Sequence, residues 1–433
     1  MAHPALLAAV FGVLALAAPA SSLRAQDLVL GDLYRDVTHA SPRADAARAM
    51  ARAARARVAQ AKLPPDPALQ FGVMNYALPG LRPMDALGMT QLQLMQMLPV
   101  AGKLQLAGRV ADAQASAAAM RATNVDWELR SEAARSFYEL YATERALVIA
   151  RQALRTLQNI SATTQSMYRV GEGRQADVLR AQVEIARMVE DTIRMRAERT
   201  AMTARLNGLL YRAPETELAS PVLPRFPSSV PPLDSLERLA PDSRPLVRAA
   251  ADEVEAARSS ERLARREIWP DLQLGAQYGR QTSQGGERMG SVMIGATLPI
   301  FARSRQLRMR EEAAAMRQAA SGDLAAMIVE TRTMLTVAYA DLGQARRLTA
   351  LYRTTVLPQA NAVVGSALAA YRVGSVDFMT LLDNQMAAYR YGRELATLEA
   401  DEGKAWAELE RLTGRELLDP SSTIHMTAAG GVR

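Results

Sequence analysis

Two stretches in the second half of the chain alternate between apolar residues and small or polar ones. Every second position from Leu272 to Tyr278 is apolar, and residues 291–298 follow the same period of two. That period predicts β-strands, and the polar, glycine-rich segment from Arg280 to Arg288 predicts a hairpin connection. The first half shows a less regular version of this pattern. The four predicted strands cover about 68–76, 89–98, 271–279 and 290–298.

Long helical patterns follow each pair of strands. Residues 101–169 contain no proline, and a helix of that length would extend for on the order of 100 Å. Apolar residues recur at spacings typical of coiled-coil seams. These residues are Leu140, Leu147, Ala150, Leu154 and Leu157, and then Leu335, Ala338, Leu342, Ala345 and Tyr352. The pattern predicts helical hairpins over about 101–210 and 302–414, with a kink at Pro358.

The two halves are copies of one pattern. Tyr168-Arg169-Val170-Gly171 matches Tyr371-Arg372-Val373-Gly374, and the segments that begin at Pro67 and Pro270 match at the same offset of 203. A repeat of this kind indicates duplication of one structural unit. Helices over about 41–63 and 243–267 precede the strands of each copy. The predicted organisation is a first repeat over 26–213, a Pro-rich linker over 214–245, a second repeat over 246–418 and a flexible tail over 419–433.

The amino terminus carries an export signal. An apolar run over residues 5–20 is followed by small residues near Ala25, which is the pattern of a secretory signal peptide over 1–25. The alternative is an N-terminal core helix. No later stretch reaches about 18 consecutive apolar residues, so the sequence predicts no transmembrane helix.

Composition argues against an enzyme. The 433 residues include no Cys and three His, which excludes thiolate chemistry and local His metal pairs. We expect no catalytic, cofactor-binding or metal site. The net charge of +7 comes from basic residues that alternate with acidic ones along helices, which indicates solvated helix faces rather than a nucleic-acid surface. We interpret the 21 Met as residues that pack between helices. The alternative is that some of them bind soft metal ions.

The predicted strands fit a membrane better than a soluble sheet. They lack charge in their middles, and their 8–10 residues approach the ~9–11 that a tilted membrane strand needs. The alternative is a half-buried soluble sheet. Four strands cannot close a barrel, because known membrane barrels begin at about eight, and an open edge in lipid leaves unpaired backbone groups. The chain must therefore form an oligomer. Two copies would give a filled barrel, and three would leave room for water.

The whole pattern resembles the TolC family of outer membrane efflux channels, over about residues 30–415. The duplicated order of elements and the Tyr-Arg-Val-Gly motifs carry the resemblance, and Gln96 to Lys103 is similar to the heavy-metal-efflux (CzcC/CusC-like) branch. The implied fold is mainly α with a small membrane β part, built as a duplicated helix–β-hairpin–long-helix unit. The resemblance implies a homotrimer with a 12-strand β-barrel in the outer membrane and an α-helical barrel across the periplasm. Relatives often carry a lipidated Cys that anchors them to the membrane. This chain has no Cys, so the resemblance implies that it would be held by its barrel alone.

The implied function is passive conduction. The resemblance implies an exit duct that receives substrates from an inner-membrane pump through a periplasmic adaptor protein. The alternative is a periplasmic coiled-coil adaptor or scaffold without a pore. The substrate and the identities of the pump and adaptor do not follow from the sequence.

Eight residues near the helix turns are the candidate site residues. The resemblance places Val170, Gly171, Val373 and Gly374 at periplasmic tips that dock the adaptor, although each turn could simply need glycine. Asp177 and Asp383 are predicted in the first turns of the helices that return from the tips. They would form rings of three carboxylates at a periplasmic gate, and the alternative is acidic preference at a helix N-terminus. The family's second gate Asp is replaced here by Thr380. Arg169 and Arg372 could pair with these carboxylates, or could be solvated at helix C-termini.

Overall fold

The computed structural model describes residues 27–77, 79–80, 82–83, 88–281 and 286–422. The predicted signal peptide over 1–25 and residues 423–433 of the predicted tail lie outside them. Among the helices of the described residues, none combines the length and apolarity needed to cross a lipid bilayer.

Helices account for most of the described residues. In chain order they are α1 Leu30–Ala40, α2 Pro42–Ala61, α3 Lys103–Arg169, α4 Gln175–Leu209, α5 Leu233–Ser243, α6 Pro245–Arg266, α7 Gln306–Leu351, α8 Leu357–Arg372 and α9 Phe378–Thr413. Helices α2, α3, α6 and α7 lie next to one another in that order. The hairpins α3–α4 and α8–α9 pack together farther from the sheet.

The strands form one four-stranded sheet and a small ribbon. They are β1 Ala68–Met74, β2 Tyr76–Ala77, β3 Arg82–Pro83, β4 Met89–Leu98, β5 Leu272–Gln281 and β6 Arg288–Ala296. The sheet has the order β1-β4-β5-β6, and every neighbouring pair is antiparallel. Pairing of β4 with β5 joins the hairpins of the two repeats.

The strand boundaries differ from the predicted ones in both hairpins, and β6 ends at Ala296 rather than at the predicted residue 298. The first strand ends at Met74 because Asn75 adopts a positive φ of 56°, a conformation that Asn tolerates better than most residues. The chain then forms the β2–β3 ribbon. In the second hairpin, β5 and β6 extend towards the loop as far as the Arg280–Arg288 pair.

The long helices differ between the repeats. Helix α3 runs unbroken for 67 residues, which corresponds to about 100 Å. Its counterpart is interrupted by a π-helical segment over Tyr352–Val356, just before the predicted kink at Pro358. Proline has no N–H to donate to the carbonyl of Thr354, and the wider π-turn accommodates this loss. Tyr352 therefore leaves the predicted seam, whereas Leu335, Ala338, Leu342 and Ala345 are buried in it.

The middle of the helical part contains the largest buried side chains. Phe137 and Tyr138 of α3 are buried there, with ring centroids 5.3 Å apart in an edge-to-face arrangement. Helix α9 comes so close that a Cβ on Gly403 would overlap the Tyr138 ring. Close approach of this kind buries apolar surface along both long helices.

Two short helices were not predicted. Helix α1 buries Leu30, Leu33, Tyr34 and Val37, a spacing that places them on one helix face. Helix α5 lies within 214–245, a segment predicted to be a Pro-rich linker. Its Leu236 and Ala240 pack against α7 and α9, so tertiary packing stabilises a helix even though Pro241 lies inside it.

The start of the predicted tail forms hydrogen bonds with the rest of the chain. The Pro420 carbonyl accepts a hydrogen bond from the Gly31 N–H (3.1 Å), and the Ser422 carbonyl accepts one from the Arg225 N–H (3.1 Å). Residues 419–422 therefore tie α1 and the segment before α5 to the end of α9, and the flexibility predicted from residue 419 onward stays a prediction.

A buried lysine joins the sheet to the helices. Lys103, the first residue of α3, is only 5% exposed. Its Nζ lies 2.8 Å from Asp271 Oδ1 and 3.4 Å from Glu267 Oε2, and it donates to the Trp269 carbonyl at 2.9 Å. A buried charge with this many partners is compensated. The contacts fix the start of α3 against the turn between α6 and β5.

A buried carboxylate binds the backbone that follows the C-terminal end of α9. Glu410 Oε1 accepts the backbone N–H groups of Leu417 and Leu418, both at 2.8 Å. Burial raises the pKa of Glu410 above its ordinary range. A raised carboxyl pKa makes the folded state bind the proton more tightly, so this contribution to stability is present at low pH. It is lost as pH rises from about 4.3 through the raised value.

We predict opposite effects for two substitutions at this position. E410Q keeps the acceptor oxygen without the charge, so its midpoint of thermal unfolding should equal or exceed that of the wild type at pH 7. E410A leaves two buried N–H groups without an acceptor and should cost about 2 kcal/mol or more. Circular dichroism at several pH values measures both, with E394Q on the exposed side of α9 as the control. If E410Q destabilises as much as E410A at pH 7, the charge itself is required.

Candidate functional site

One face of the four-stranded sheet is apolar and exposed. Leu69 and Phe71 of β1 lie on it, and Val292 and Ile294 of β6 are 81% and 78% exposed. Between them, β4 contributes Leu92 and Leu94, and β5 contributes Leu272, Leu274, Ala276 and Tyr278, as the strand registers require. From Leu272 to Tyr278 this band measures about 20 Å along the strand. Arg280 and Arg288 lie beyond it at the end remote from the helices.

The opposite face is polar, with small and thioether side chains. One row across the whole sheet consists of Gln70, Gln93, Gln277 and Ser291. The Gln277 amide donates to Gln91 Oε1. The next row towards the helices contains Met95, Gly275 and Met293. The two faces thus have the chemistry of a surface against lipid and a surface against water.

The outer strands of the sheet have one neighbour each. Within the described residues, β1 pairs with β4 and β6 pairs with β5, and neither pairs with a further strand. Each outer strand therefore presents a row of backbone N–H and C=O groups that a second chain can pair with.

A concave groove follows the four neighbouring helices α2, α3, α6 and α7. Its cavity has a volume of about 970 Å³. Met50, Met309 and Met316 line it and are exposed, so these methionines do not pack in the core. Glu253, Glu267 and Glu312 add carboxylates to the same surface.

The two predicted tips are tight helix ends of the same type. Gly171 and Gly374 adopt φ of +83° and +71°, which glycine reaches without strain. After α3, the Glu172 N–H donates to the Met167 carbonyl at 2.9 Å, and the Ser375 N–H does the same to Ala370 after α8, at 3.0 Å. These are Schellman motifs. They leave Val170 and Val373 at the surface, 70% and 78% exposed.

The predicted gate residues lie near the tips without forming the expected pairs. Asp177 is in the first turn of α4, whereas Asp383 is exposed in the second turn of α9, one turn later than predicted, because α9 begins at Phe378. Arg169 and Arg372 occupy the last turns of α3 and α8. Within the part of the chain described, none of these four makes an ion pair within 4 Å. Pairing between subunits stays a prediction.

Another acidic residue lies at the second tip, at the start of α9. Asp377 caps α9 by accepting the Thr380 N–H at 3.0 Å. Hydrogen bonds from the Thr380 side chain and backbone lower the pKa of Asp377, and the positive charge of Arg174 lowers it further. Arg174 and Asp377 are equivalent positions of the two repeats, 203 residues apart. The repeat offset could have identified them, since it aligns a base with an acid.

Comparisons with known proteins agree with this geometry. A family model described as "Outer membrane efflux protein" matches residues 237–415. No curated protein matches the chain. Among solved structures, the outer-membrane channel OprN superposes with a TM-score of 0.74 at 21% identity, covering 89% of each chain.

The fold is that of outer membrane efflux channels.

Two further structures share this efflux-channel fold. The outer membrane protein VceC of Vibrio cholerae has a TM-score of 0.76 at 17% identity, over 89% of this chain and 96% of VceC. CusC has a TM-score of 0.77 at 17% identity, over 90% of this chain and 92% of CusC. CusC is one neighbour among several, so the heavy-metal branch is not distinguished. The described residues contain no cluster of three or more His, Cys, Asp or Glu able to hold a metal ion.

We predict that replacing Gly171 or Gly374 of this efflux-channel fold by alanine destabilises the turn at that tip. No atom lies within 4 Å of a Cβ at Gly171 or Gly374, so the cost of about 1–2 kcal/mol comes from the left-handed backbone alone. Amide hydrogen exchange at Glu172 and Ser375 should accelerate about 5- to 30-fold in G171A and G374A, respectively. G343A, in the middle of α7, also meets open space and is the control. Unchanged exchange at the tips would contradict the strain argument.

Proposed function

We propose that the chain is the outer membrane exit duct of an efflux system and acts as a homotrimer. One observation carries the proposal: a four-stranded sheet with an exposed apolar face, a glutamine-containing opposite face and two outer edges without a partner strand in the described residues. The sheet lies at one end of helices about 100 Å long. A surface of this kind, attached to such long helices, suits a pore that crosses lipid and continues through an aqueous compartment.

The unpaired edges require neighbouring copies. In lipid, each unpaired backbone group costs several kcal/mol, and pairing β6 of one copy with β1 of the next removes that cost. Three copies supply twelve strands. A barrel of that size leaves a water-filled interior, whereas eight strands would enclose only side chains. The row of Gln70, Gln93, Gln277 and Ser291 would then line the pore.

The helices would continue the same duct across the periplasm. The concave groove of α2, α3, α6 and α7 would face the interior in this arrangement. Val170 and Val373 are exposed apolar residues beside the tip glycines. They supply a docking surface for a periplasmic adaptor, which connects the duct to an inner-membrane pump. Selection of substrates belongs to the pump.

Asp177 and Asp383 are the proposed gate. Threefold symmetry would repeat each as a ring of three carboxylates, which attracts cations and repels itself when the ring is narrow. Arg169 and Arg372 would reach these carboxylates across subunits. The lack of partners for all four within the described part of one chain is consistent with roles between chains.

A periplasmic coiled-coil adaptor or scaffold without a pore is the alternative. The exposed apolar face of the sheet argues against it, because soluble proteins rarely expose contiguous apolar patches of more than a few hundred Å².

Membrane fractionation distinguishes the duct from the scaffold: we expect the protein in outer membrane fractions, and recovery only from the soluble periplasm would reject the duct. Purified protein should also be trimeric in detergent and should conduct ions in planar bilayers. A monomer without conductance contradicts the proposal.

We predict that D383A increases the leak conductance of the closed channel. Removing three carboxylates from the narrow end also weakens block by divalent cations, because the cations lose their binding charge. Single-channel recording in planar bilayers measures both effects. E172A removes the same charge from the tip loop, and we expect it to behave as the wild type. Unchanged conductance and block in D383A would remove Asp383 from the gate.

A further inference from the structure

A basic groove lies at the junction between helices and sheet. Its cavity, of about 570 Å³, is formed by the start of α3 and the end of α6. The residues that give it its character are Arg109, Arg262, Arg265, Arg266 and Trp269, and we refer to it as the arginine groove. All five are exposed.

The arginine groove opens on the side of the helical layer opposite to the concave groove, which is the outer side of the proposed duct. Arg262, Arg265, Arg266 and Trp269 have the spacing i, i+3, i+4 and i+7, which places them on one side of α6 and of the turn that follows. The residues of α6 that line the concave groove, such as Ser260 and Glu267, lie on the other side. At about 100° per residue, a difference of two positions turns a side chain through roughly half a circle. Because α3 and α6 are the two inner helices of the four, this outer face is remote from the edges where copies would meet.

Most of the charge in the groove is not neutralised. Glu261 pairs with Arg265 at 2.6 Å, but it also accepts Arg317 at 2.7 Å. Within the described residues, Arg109, Arg262 and Arg266 have no carboxylate within 4 Å. Three unpaired guanidinium groups therefore share one cavity, and guanidinium matches the geometry of phosphate oxygens.

The groove borders the apolar band of the sheet. β5 begins at Leu272, three residues after Trp269, a span of at most about 10 Å. A bilayer has a headgroup zone of about 5–8 Å on each side of its hydrocarbon core, so a membrane around the apolar band places its headgroups at this level. Trp269 is 54% exposed, and tryptophan concentrates at this interface in membrane proteins.

We propose that the arginine groove binds the phosphodiester headgroup of an anionic phospholipid in the leaflet next to the helices. Arg109, Arg262 and Arg266 hold the phosphate, and the acyl chains lie against the apolar face that begins at Leu272. This inference rests on the proposed function, since it requires the sheet to lie in a membrane. A free phosphate ion offers the same oxygens, but the groove adjoins an apolar surface that only a lipid would use.

Quenching of tryptophan fluorescence by brominated lipids tests the proposal. The full-length protein is reconstituted in phosphatidylcholine vesicles in which a small fraction is brominated phosphatidylglycerol or, in parallel, brominated phosphatidylcholine. Trp269 is the tryptophan beside the sheet, because Trp127 lies 24 residues along α3, about 36 Å away, and Trp406 is fully buried in the helical part. We expect at least tenfold preferential binding of phosphatidylglycerol next to Trp269, given the contribution of each arginine near an anionic headgroup.

Two variants make the result specific. The triple variant R109Q/R262Q/R266Q should lose the preference for phosphatidylglycerol while it still forms the oligomer and conducts ions. The triple variant R151Q/R155Q/R196Q removes the same charge from exposed helix positions remote from the sheet and should keep the preference.

Each other outcome rejects a defined part of the proposal. Equal quenching by both lipids in a conducting channel rejects the headgroup site and leaves the duct intact. Equal quenching by both lipids in a channel that binds inorganic phosphate, with the phosphate binding lost in R109Q/R262Q/R266Q, assigns the groove to a free ion and rejects the lipid. An absence of quenching by either lipid in a channel that conducts ions places Trp269 away from the lipid and rejects the headgroup site, whereas an absence of both quenching and conductance rejects the proposed function itself.

Discussion

The pairing of β4 with β5 is the interaction on which the rest of the architecture depends. It aligns ten residues of one repeat with ten of the other, from Met89↔Gln281 to Leu98↔Leu272. An isolated hairpin is at best marginally stable in water, and three or more strands are needed for an independent sheet. Joining the hairpins also brings α3 beside α6, where buried Lys103 pairs with Asp271 and Glu267. The long helices therefore start from one fixed base.

The two hairpin tips share a backbone geometry but differ in side-chain chemistry. Tyr371 is buried and donates to Thr164 Oγ1 at 3.2 Å, whereas the equivalent Tyr168 is 44% exposed. The return helices begin with opposite charges, since Arg174 precedes α4 and Asp377 precedes α9. Duplication followed by divergence has thus made the first tip more open and the second more firmly packed. A ring assembled from three chains would alternate these two surfaces.

Sequence patterns located the elements whose signals are local. The alternation from Leu272 to Tyr278 and the seam from Leu335 to Ala345 follow directly from residue periodicity, and the structure has strands and helices there. Helix α5 escaped prediction because its stability comes from contacts of Leu236 and Ala240 with distant helices, which override the nearby prolines. The exposed, unpaired arginines at the end of α6 were not predicted to form a binding site. Their proposed role depends on their distance from the apolar face of the sheet, which only the structure gives.

The π-helical segment Tyr352–Val356 compensates for a difference of one residue between the two repeats. Before it, buried Leu342, Ala345 and Thr349 correspond to Leu140, Thr143 and Leu147 at an offset of 202; after it, Ala367 corresponds to Thr164 at 203. A π-turn holds one residue more than an α-turn, so the second copy absorbs an inserted residue inside the helix. The rotation of about 100° that one extra residue would impose on everything downstream is cancelled. Both hairpins consequently present matching sides to each other at their far ends, and the duplication keeps its pseudosymmetry despite copies of different length.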